Sequence, residues 1–243
     1  MSLIQVRRWL RESEHVVVLT GAGMSAESGI PTFRGVGGLW KQFRAEELAT
    51  PQAFALRPNL VWEWYNWRRE LIAGTRPNAG HQALAQIEQR IADFTLVTQN
   101  VDGLDGQAGI RNLVRLHGDI WGTVCTRCGE RRENREVPLA HLPPLCHCHP
   151  EALLRPGVVW FGEALPAAEW ERAMAAVQRA DLLLVVGTSA VVYPASSLIT
   201  MGIRYGAHTV EINPQETRLS GEMEVCLHGS AAEMLPDLAS VLF

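Results

Sequence analysis

The first residues that could do chemistry are two glycines that follow an apolar run near the N-terminus. Segment 16–26 reads Val-Val-Val-Leu-Thr-Gly-Ala-Gly-Met-Ser-Ala, a predicted strand followed by Gly-x-Gly-x-x-Ala. Gly21 and Gly23 would permit a tight turn and a close backbone approach to a pyrophosphate. No clear acidic residue ends a second strand about 20 residues on, which disfavours an ordinary dehydrogenase. The segment indicates either nucleotide binding or an ordinary strand–helix turn.

Polar residues also follow other apolar runs. The segment 98–103 reads Thr-Gln-Asn-Val-Asp-Gly, His117 closes the run 113–116, Gly187-Thr188-Ser189 follows 182–186, and Asn213 ends another run. Ligands in open α/β sheets bind at the carboxyl ends of the strands, so these residues predict one ligand-binding edge. A histidine there could act as a general base, because its pKa lies near neutrality. Taken singly, each segment is equally typical of a turn or a structural residue.

Four of the five cysteines lie close together in the sequence. Cys125 and Cys128 form a Cys-x-x-Cys pair, and Cys146 and Cys148 follow after 17 intervening residues. Paired thiolates are typical of tetrahedral zinc, and the site would be structural. His149 could replace Cys148 as a ligand, and a degenerate module that folds without metal is the remaining alternative.

The elements that must position these residues alternate between strands and helices. Helical spacing relates Leu60, Trp64, Trp67 and Leu71, and the same spacing recurs in segment 170–177. Short apolar runs typical of strands occupy segments 16–19, 94–97, 158–160, 182–186 and 209–212. This alternation predicts a doubly wound α/β domain with a parallel sheet.

Two segments interrupt this pattern, and we interpret them as inserts. Segment 118–157 is rich in proline, has no clear helix or strand period and carries the cysteines, so we predict a small zinc-binding module there. Segment 33–80 is the predicted helical insert. The α/β domain would then comprise residues 1–32, 81–117 and 158–243.

Composition limits the classes of function. The chain has 243 residues, of which 47% are hydrophobic and 20% charged, so it is not a disordered protein. With 22 basic and 26 acidic residues the net charge is −4, and segment 118–157 carries five arginines and five acidic residues. We therefore expect no binding to nucleic acid or to anionic membranes. No apolar run is long enough to span a membrane, and we expect a cytoplasmic protein, most simply a monomer.

These motifs together resemble the sirtuins, which are NAD-dependent protein-lysine deacylases. The resemblance runs in order from about residue 14 to residue 235. It implies an inverted Rossmann-like NAD domain and a small zinc domain, with the acyl-lysine of a protein substrate bound between them. The matching blocks are Gly21-Ala-Gly-x-Ser25, Gly29-Ile-Pro-x-Phe-Arg34, Thr98-Gln-Asn-Val-Asp-Gly103, His117-Gly118, Val158-Val-Trp-Phe-Gly-Glu163, Gly187-Thr-Ser189 and Asn213.

The resemblance also assigns roles to residues. His117 would be the base, and Asn100 and Asp102 would hold nicotinamide as it leaves. The acyl oxygen would attack the ribose carbon, and His117 would take a proton from a ribose hydroxyl, so that lysine, nicotinamide and O-acyl-ADP-ribose leave. Substrate backbone would pair near Val159, Phe161 and Gly162. The NAD contacts would be Gly21, Ala22, Phe33, Arg34, Gln99, Asn100, Asp102, Gly187, Thr188, Ser189 and Asn213.

Residues of the helical insert suggest the preferred acyl group. Tyr65 and Arg68 are three residues apart on a predicted helix and therefore share a face. The pair resembles that of the sirtuin branch that removes succinyl, malonyl and glutaryl groups, and Ala49 resembles the small residue of its acyl pocket. Asp105 departs from the family, which usually has histidine there.

Two other functions are compatible with the same sequence. One is an NAD-dependent mono-ADP-ribosyltransferase, which would need no acyl-lysine tunnel. The presence of Tyr65, Arg68 and segment 158–163 favours such a tunnel and therefore the deacylase. The other is a nonenzymatic NAD-sensing adaptor. An adaptor could dispense with His117 and Asn100, yet both are present.

Overall fold

A computed structural model describes residues 3–32, 39–40 and 43–242. The helices are α1 Leu3–Glu12, α2 Gly23–Ala26, α3 Ala45–Leu48, α4 Pro51–Leu56, α5 Pro58–Ala73, α6 Ala79–Arg90, α7 Leu104–Gln107, α8 Ala167–Gln178, α9 Ser197–Tyr205 and α10 Ala231–Ala239. The strands are β1 His15–Thr20, β2 Leu39–Trp40, β3 Phe43–Arg44, β4 Asp93–Thr98, β5 Leu113–Arg115, β6 Gly118–Cys125, β7 Arg131–Glu133, β8 Leu154–Val158, β9 Leu182–Val186, β10 His208–Asn213 and β11 Val225–His228.

The larger sheet has the order β11-β10-β9-β1-β4-β5, and every pair in it is parallel. Strand β1 lies inside the sheet. The next strands along the chain, β4 and β5, lie on one side of it, and β9, β10 and β11 lie on the other. The strand order therefore reverses between β1 and β9. Open α/β sheets bind ligands in the crevice outside such a switch point.

Side chains of the central strands alternate between two hydrophobic layers. In β1, Val16 and Val18 pack with α1, α6 and α10, whereas Val17 and Leu19 pack with α8 and α9. Strand β9 alternates in the same way, which explains its continuous apolar sequence. The predicted α/β fold with a parallel sheet is confirmed.

The small sheet corrects two sequence predictions. Segment 118–157 does contain strands: β6 lies between β7 and β8, and both pairs are antiparallel. A shift of register between Gly118 and Thr123 breaks the alternation of β6, which hid it from sequence patterns. The run 158–160 is not a strand of the large sheet, because β8 ends at Val158 in the small one.

The helical insert packs against the small sheet. Trp62 of α5 is fully buried, and its indole N–H donates to the carbonyl of Leu154 at 2.8 Å. Ile120 and Trp121 of β6 belong to the same hydrophobic cluster as Trp62 and Tyr65. The predicted stripe on α5 is displaced, since Trp64 is buried whereas Leu60, Trp67 and Leu71 are only partly so. The two predicted inserts thus share one core.

Across the described part of the chain, every helix is too short or too polar to cross a membrane.

Candidate active site

The site begins at the switch point, where the loops after β1 and β9 touch. The amide of Gly21 donates to the carbonyl of Val186 at 3.0 Å, and that of Gly23 donates to the carbonyl of Gly187 at 2.7 Å. A Cβ on Gly21 would lie 2.7 Å from the Cβ of Thr188, which is closer than real side chains approach. Glycine is therefore required for these two loops to meet, as a dinucleotide crevice needs.

Three side-chain amides tie neighbouring strand ends together. Asn100 donates through Nδ2 to the carbonyl of Gly21 at 2.9 Å, and Gln99 donates through Nε2 to Oγ1 of Thr188 at 3.1 Å. Asn213 donates to the carbonyl of Thr188 at 3.0 Å. The ends of β1, β4, β9 and β10 are thereby held as one rigid edge.

Asp102 is a buried carboxyl group beside this edge. Its Oδ2 accepts from the hydroxyl of Ser25 at 2.8 Å, and its Oδ1 accepts from the amide of Leu104 at 2.9 Å. Burial raises the pKa of Asp102, while these two hydrogen bonds and the charge of Arg68 oppose that rise. The group is a fixed acceptor in a site of low polarity.

His117 lies at the joint between the two sheets, between β5 and β6. Its Nδ1 lies 2.9 Å from the carbonyl of Gln99, which can only accept, so Nδ1 carries the proton and Nε2 is left with a lone pair. Burial lowers the pKa of His117 below its usual value. The ring is therefore neutral near pH 7 and suited to accept a proton at Nε2.

Segment 159–161 leaves β8 and passes close to His117. The amide of Val159 donates to the carbonyl of His117, and the amide of Phe161 donates to the carbonyl of Ala49, both at 2.9 Å. The amide of Trp160 donates to Glu163 at 2.8 Å. These three amides are already engaged, so a substrate peptide that paired with segment 159–161 would donate its own amides to the carbonyl groups of the segment. Phe161 and Gly162 are exposed.

Tyr65 and Arg68 occupy different environments on α5. Arg68 lines a small cavity together with Ala22, Asn100 and Asp102. Burial lowers the pKa of Arg68, whereas interactions with Tyr65 and Asp102 raise it. Tyr65 is only 3% exposed, and its hydroxyl accepts from the indole of Trp160 at 2.9 Å.

Ala49 is buried at the end of α3, and its carbonyl is bonded to Phe161. The other sequence-predicted contacts fall at the edge described above or just beyond it: Ala22 lines the cavity and Ser189 is exposed after β9. Phe33 and Arg34 lie outside the described residues.

The four cysteine sulfurs form one cluster at the far end of the small sheet. They all lie within 4.8 Å of one another. Sγ of Cys125 is 3.6 Å from Sγ of Cys148, and Sγ of Cys128 is 3.9 Å from Sγ of Cys146. A tetrahedral zinc with bonds of about 2.3 Å requires about 3.8 Å between sulfurs.

This cluster can hold one metal ion and fits a structural zinc. Backbone amides of Arg127 and Cys128 point at Sγ of Cys125 at 3.4 Å, as expected for a thiolate. His149 is outside the cluster, and its Nδ1 instead accepts from the amide of Glu151. The four-cysteine set is the one that the structure assembles.

Sequence reasoning missed several neighbours of the site. Ser25 lies in the glycine motif of segment 16–26, which predicts no role for it, yet its hydroxyl donates a hydrogen bond to Asp102. The indole of Trp121 donates to the carbonyl of Asp102 at 2.8 Å. Trp160 contacts Tyr65 across 95 positions of the chain. Contacts over such separations leave no mark in residue spacing, and only Ser25 had a signal, its place four residues after Gly21.

Comparisons with known proteins agree with this geometry. Residues 21–194 match the Sir2 family. An NAD-dependent protein deacylase of Aquifex aeolicus is 51% identical over 210 residues, covering 86% of this chain and 87% of that protein.

Solved structures match over nearly the whole chain. The crystal structure of a Sir2 homologue in complex with NAD superposes with a TM-score of 0.93 at 47% identity, covering 98% of this chain and 93% of that one. A mutant Sir2 homologue in complex with 2′-O-acetyl ADP ribose has a TM-score of 0.92 at 47% identity, covering 100% and 96%. The chain therefore belongs to the Sir2 family of NAD-dependent protein deacylases.

Proposed function

We propose that this protein removes short dicarboxylic acyl groups, such as succinyl and malonyl, from protein lysine, and acetyl groups less efficiently. NAD would supply nicotinamide as the leaving group and ADP-ribose as the acceptor of the acyl group. The single observation that carries the proposal is a partly buried guanidinium, Arg68, that lines the cavity beside Asn100 and Asp102.

The residues of the large-sheet edge would perform the shared chemistry. Asn100 and Asp102 would bind and orient the nicotinamide end of NAD, because both line the cavity and both are fixed by hydrogen bonds. His117 would accept a proton from a ribose hydroxyl at Nε2, since Nδ1 is committed to the carbonyl of Gln99. Gly21, Gly187 and Thr188 would contact the pyrophosphate and adjoining sugar.

The acyl preference would come from α5. A carboxylate that enters an enclosed pocket loses its water, which is costly unless a cation and hydrogen bonds replace it. Arg68 offers a forked charged donor, and burial raises the pKa of Tyr65, so its hydroxyl stays protonated and can donate. An acetyl group has no carboxylate and would gain nothing from either residue. Ala49, which is buried at the end of α3, would leave room for the longer acyl chain because its side chain is small.

Substitution of Arg68 by methionine tests the acyl preference. Each charge-assisted hydrogen bond contributes ~1.5–3 kcal/mol, so Arg68→Met should raise KM for a succinyl-lysine peptide by at least about tenfold. Turnover of the acetyl-lysine peptide should change much less. Tyr65→Phe should act in the same direction but more weakly, because it removes a hydrogen bond and no charge. Mass spectrometry of both peptides with and without NAD gives the rates.

Arg11→Met is the matched control, because Arg11 is exposed on α1. It should leave the KM of both peptides unchanged. Equal damage by Arg68→Met to acetyl and succinyl activity would mean that Arg68 only supports the fold, and the dicarboxylic preference would be rejected. Transfer of ADP-ribose to the peptide, without formation of O-acyl-ADP-ribose, would favour the mono-ADP-ribosyltransferase. Absence of any NAD-dependent turnover would favour the NAD-sensing adaptor.

A further inference from the structure

The hydroxyl of Tyr65 is held by a chain of contacts that begins outside the acyl pocket. Trp160 is buried, and its indole N–H donates to Oη of Tyr65 at 2.9 Å. Trp160 directly precedes Phe161 in the segment that follows β8. The residue thus links the proposed substrate segment to the proposed acyl pocket.

The ring of Trp160 is fixed by a charged side chain. The guanidinium carbon of Arg155 lies 3.5 Å from the centre of the Trp160 ring, a cation–π contact at stacking distance. Phe54 of α4 packs on the same indole with its ring centre 5.2 Å away. Few rotamers remain open to Trp160 between these contacts.

Arg155 is itself held by Glu163. Its Nη1 and Nη2 donate to the two carboxylate oxygens of Glu163 at 2.5 and 2.8 Å, a bidentate pair, and Nη2 also donates to the carbonyl of Val158 at 3.1 Å. Glu163 closes the loop by accepting the backbone amide of Trp160 at 2.8 Å. The ion pair therefore clamps both the backbone and the ring of Trp160.

This arrangement sets the direction of one proton. A phenol has one O–H and can both donate and accept. Because Oη of Tyr65 accepts from the indole, its own hydrogen cannot point at Trp160 and is left for another acceptor. The positive charge of Arg68 acts on the same hydroxyl. A carboxylate bound by Arg68 would be the natural acceptor.

We infer that Trp160, clamped by the Arg155–Glu163 pair, is a positioning residue that fixes the Tyr65 hydroxyl as a donor to the distal carboxylate of the acyl group. The inference rests on the proposed function, since it assigns a further specificity-determining residue to the same pocket. It applies to dicarboxylic acyl groups and not to acetyl.

Substitution of Trp160 by phenylalanine tests the inference, because it keeps an aromatic ring and removes the N–H. Trp160→Phe should lower the succinyl-to-acetyl ratio of kcat/KM roughly fivefold, the factor that one lost hydrogen bond produces, chiefly through KM. In a Tyr65→Phe background the same substitution should leave the ratio unchanged, because the hydroxyl it positions is gone. Trp170→Phe on α8 is the matched control and should change neither the rates nor the ratio.

A second variant protects the test against loss of folding. Glu163→Gln leaves the indole in place but removes the charge that holds Arg155, and it should lower the ratio about two- to fivefold. Its effect should also vanish in the Tyr65→Phe background.

Two failures can be told apart. If the parent protein shows no preference for succinyl over acetyl lysine, the proposed function fails and the inference falls with it. If the parent prefers succinyl but Trp160→Phe reduces both activities equally, or acts additively with Tyr65→Phe, only the positioning role is overturned.

Discussion

The two sheets meet at His117 but are stabilised in different ways. The large sheet is covered on both faces, and Val16, Val18, Val17 and Leu19 of β1 alternate between two hydrophobic clusters. The cysteine end of the small sheet has a cluster of only four buried residues, Cys125, Cys146, Ala152 and Leu154. So small an apolar cluster adds little stability at this end of the sheet, where a zinc ion held by the four cysteines would be the main support.

The candidate active site is therefore held from two sides, by the hydrogen-bonded edge of the large sheet and by the strands of the small sheet. The large sheet presents the carboxyl ends of its strands, where the side chains of Gln99, Asn100 and Asn213 donate hydrogen bonds to Gly21 and Thr188 and hold the edge rigid. The small sheet reaches the same place through the start of β6 and the end of β8. Strand β6 runs from Gly118, next to the proposed base His117, to Cys125 of the cysteine cluster, so the proposed base and the proposed metal site lie at opposite ends of one strand.

Loss of the proposed base, His117, should have the largest effect. His117→Ala should lower kcat/KM by roughly 10²–10⁴, the usual contribution of a general base, while the protein stays folded. Because burial lowers the pKa of His117, the parent rate should fall only on acidification below neutrality. Steady-state rates from pH 5 to pH 9 measure both effects.

His228→Ala is the matched control, since His228 is exposed at the end of β11. If the His117 variant keeps activity within a few-fold of the parent, His117 is not the general base.

Removal of the metal should affect the small sheet first. One zinc per chain is expected by elemental analysis, and Cys125→Ala should abolish it, because Cys125 and Cys146 are the two buried members of the cysteine cluster. The unfolding temperature should fall by more than the 2–4 °C that roughly 1 kcal/mol produces in a chain of this size. Activity should fall as well, since β6 ends at this ligand.

Cys226→Ala is the control, because Cys226 lies outside the cluster and should be dispensable for zinc. A zinc-free protein that melts at the parent temperature would show that the small sheet needs no metal. Zinc retained by Cys148→Ala would indicate His149 as the fourth ligand.

A buried pair under the large-sheet edge should produce the smallest effect. Burial and the nearby Asp102 raise the pKa of Asp105 to about 7, and burial lowers the pKa of His81 to about 4. Nε2 of His81 lies 3.9 Å from Oδ1 of Asp105, and neither atom has a hydrogen-bond partner. Both groups are therefore neutral in slightly acidic solution.

The raised pKa of Asp105 should make the folded protein less stable as the pH rises. Unfolded chain releases this proton near its ordinary pKa of 3.8, whereas the folded protein keeps it to about pH 7. The stabilising contribution of the neutral acid is complete below pH 3.8 and is lost as the pH rises through 7, roughly 1.4 kcal/mol for each pKa unit. Asp105→Asn should be more stable than the parent at pH 8 and should flatten the profile.

Urea unfolding at pH 5, 6, 7 and 8 measures that difference. The histidine has the opposite trend, because stability from its lowered pKa is present above 6.5 and lost as the pH falls through about 4. Asp237→Asn is the control, because Asp237 is exposed on α10, and it should leave the difference between pH 5 and pH 8 unchanged. Parallel profiles for the parent and Asp105→Asn would show that the carboxyl is already ionised in the folded state.

The same contrast between sheets decided how much the sequence could predict. Runs such as 16–19 and 182–186 are apolar throughout because both faces are covered, and they were recognisable as strands of a parallel sheet. Strand β6 has a register shift and two glycines, so its alternation is broken. Its partner β8 is about 30 residues away, and no residue spacing marks a pairing over that separation.

The residues of the candidate site also differ in how well the sequence predicts them. Residues that directly follow strands of the large sheet, such as Asn100 and Thr188, were predictable because parallel strands end at one edge. The contacts of Trp160 with Tyr65 and Arg155 depend on how the helical insert packs against the small sheet. No periodicity records that packing, so the clamp emerged only from the structure.

The most direct test of the central claim is the acyl specificity of the parent protein. Succinyl-, malonyl- and acetyl-lysine forms of one peptide would be incubated with and without NAD, and the products quantified by mass spectrometry. We predict NAD-dependent removal of all three groups, with higher kcat/KM for succinyl and malonyl and formation of the matching O-acyl-ADP-ribose. Removal of acetyl alone, with the dicarboxylic peptides left intact, would contradict the account.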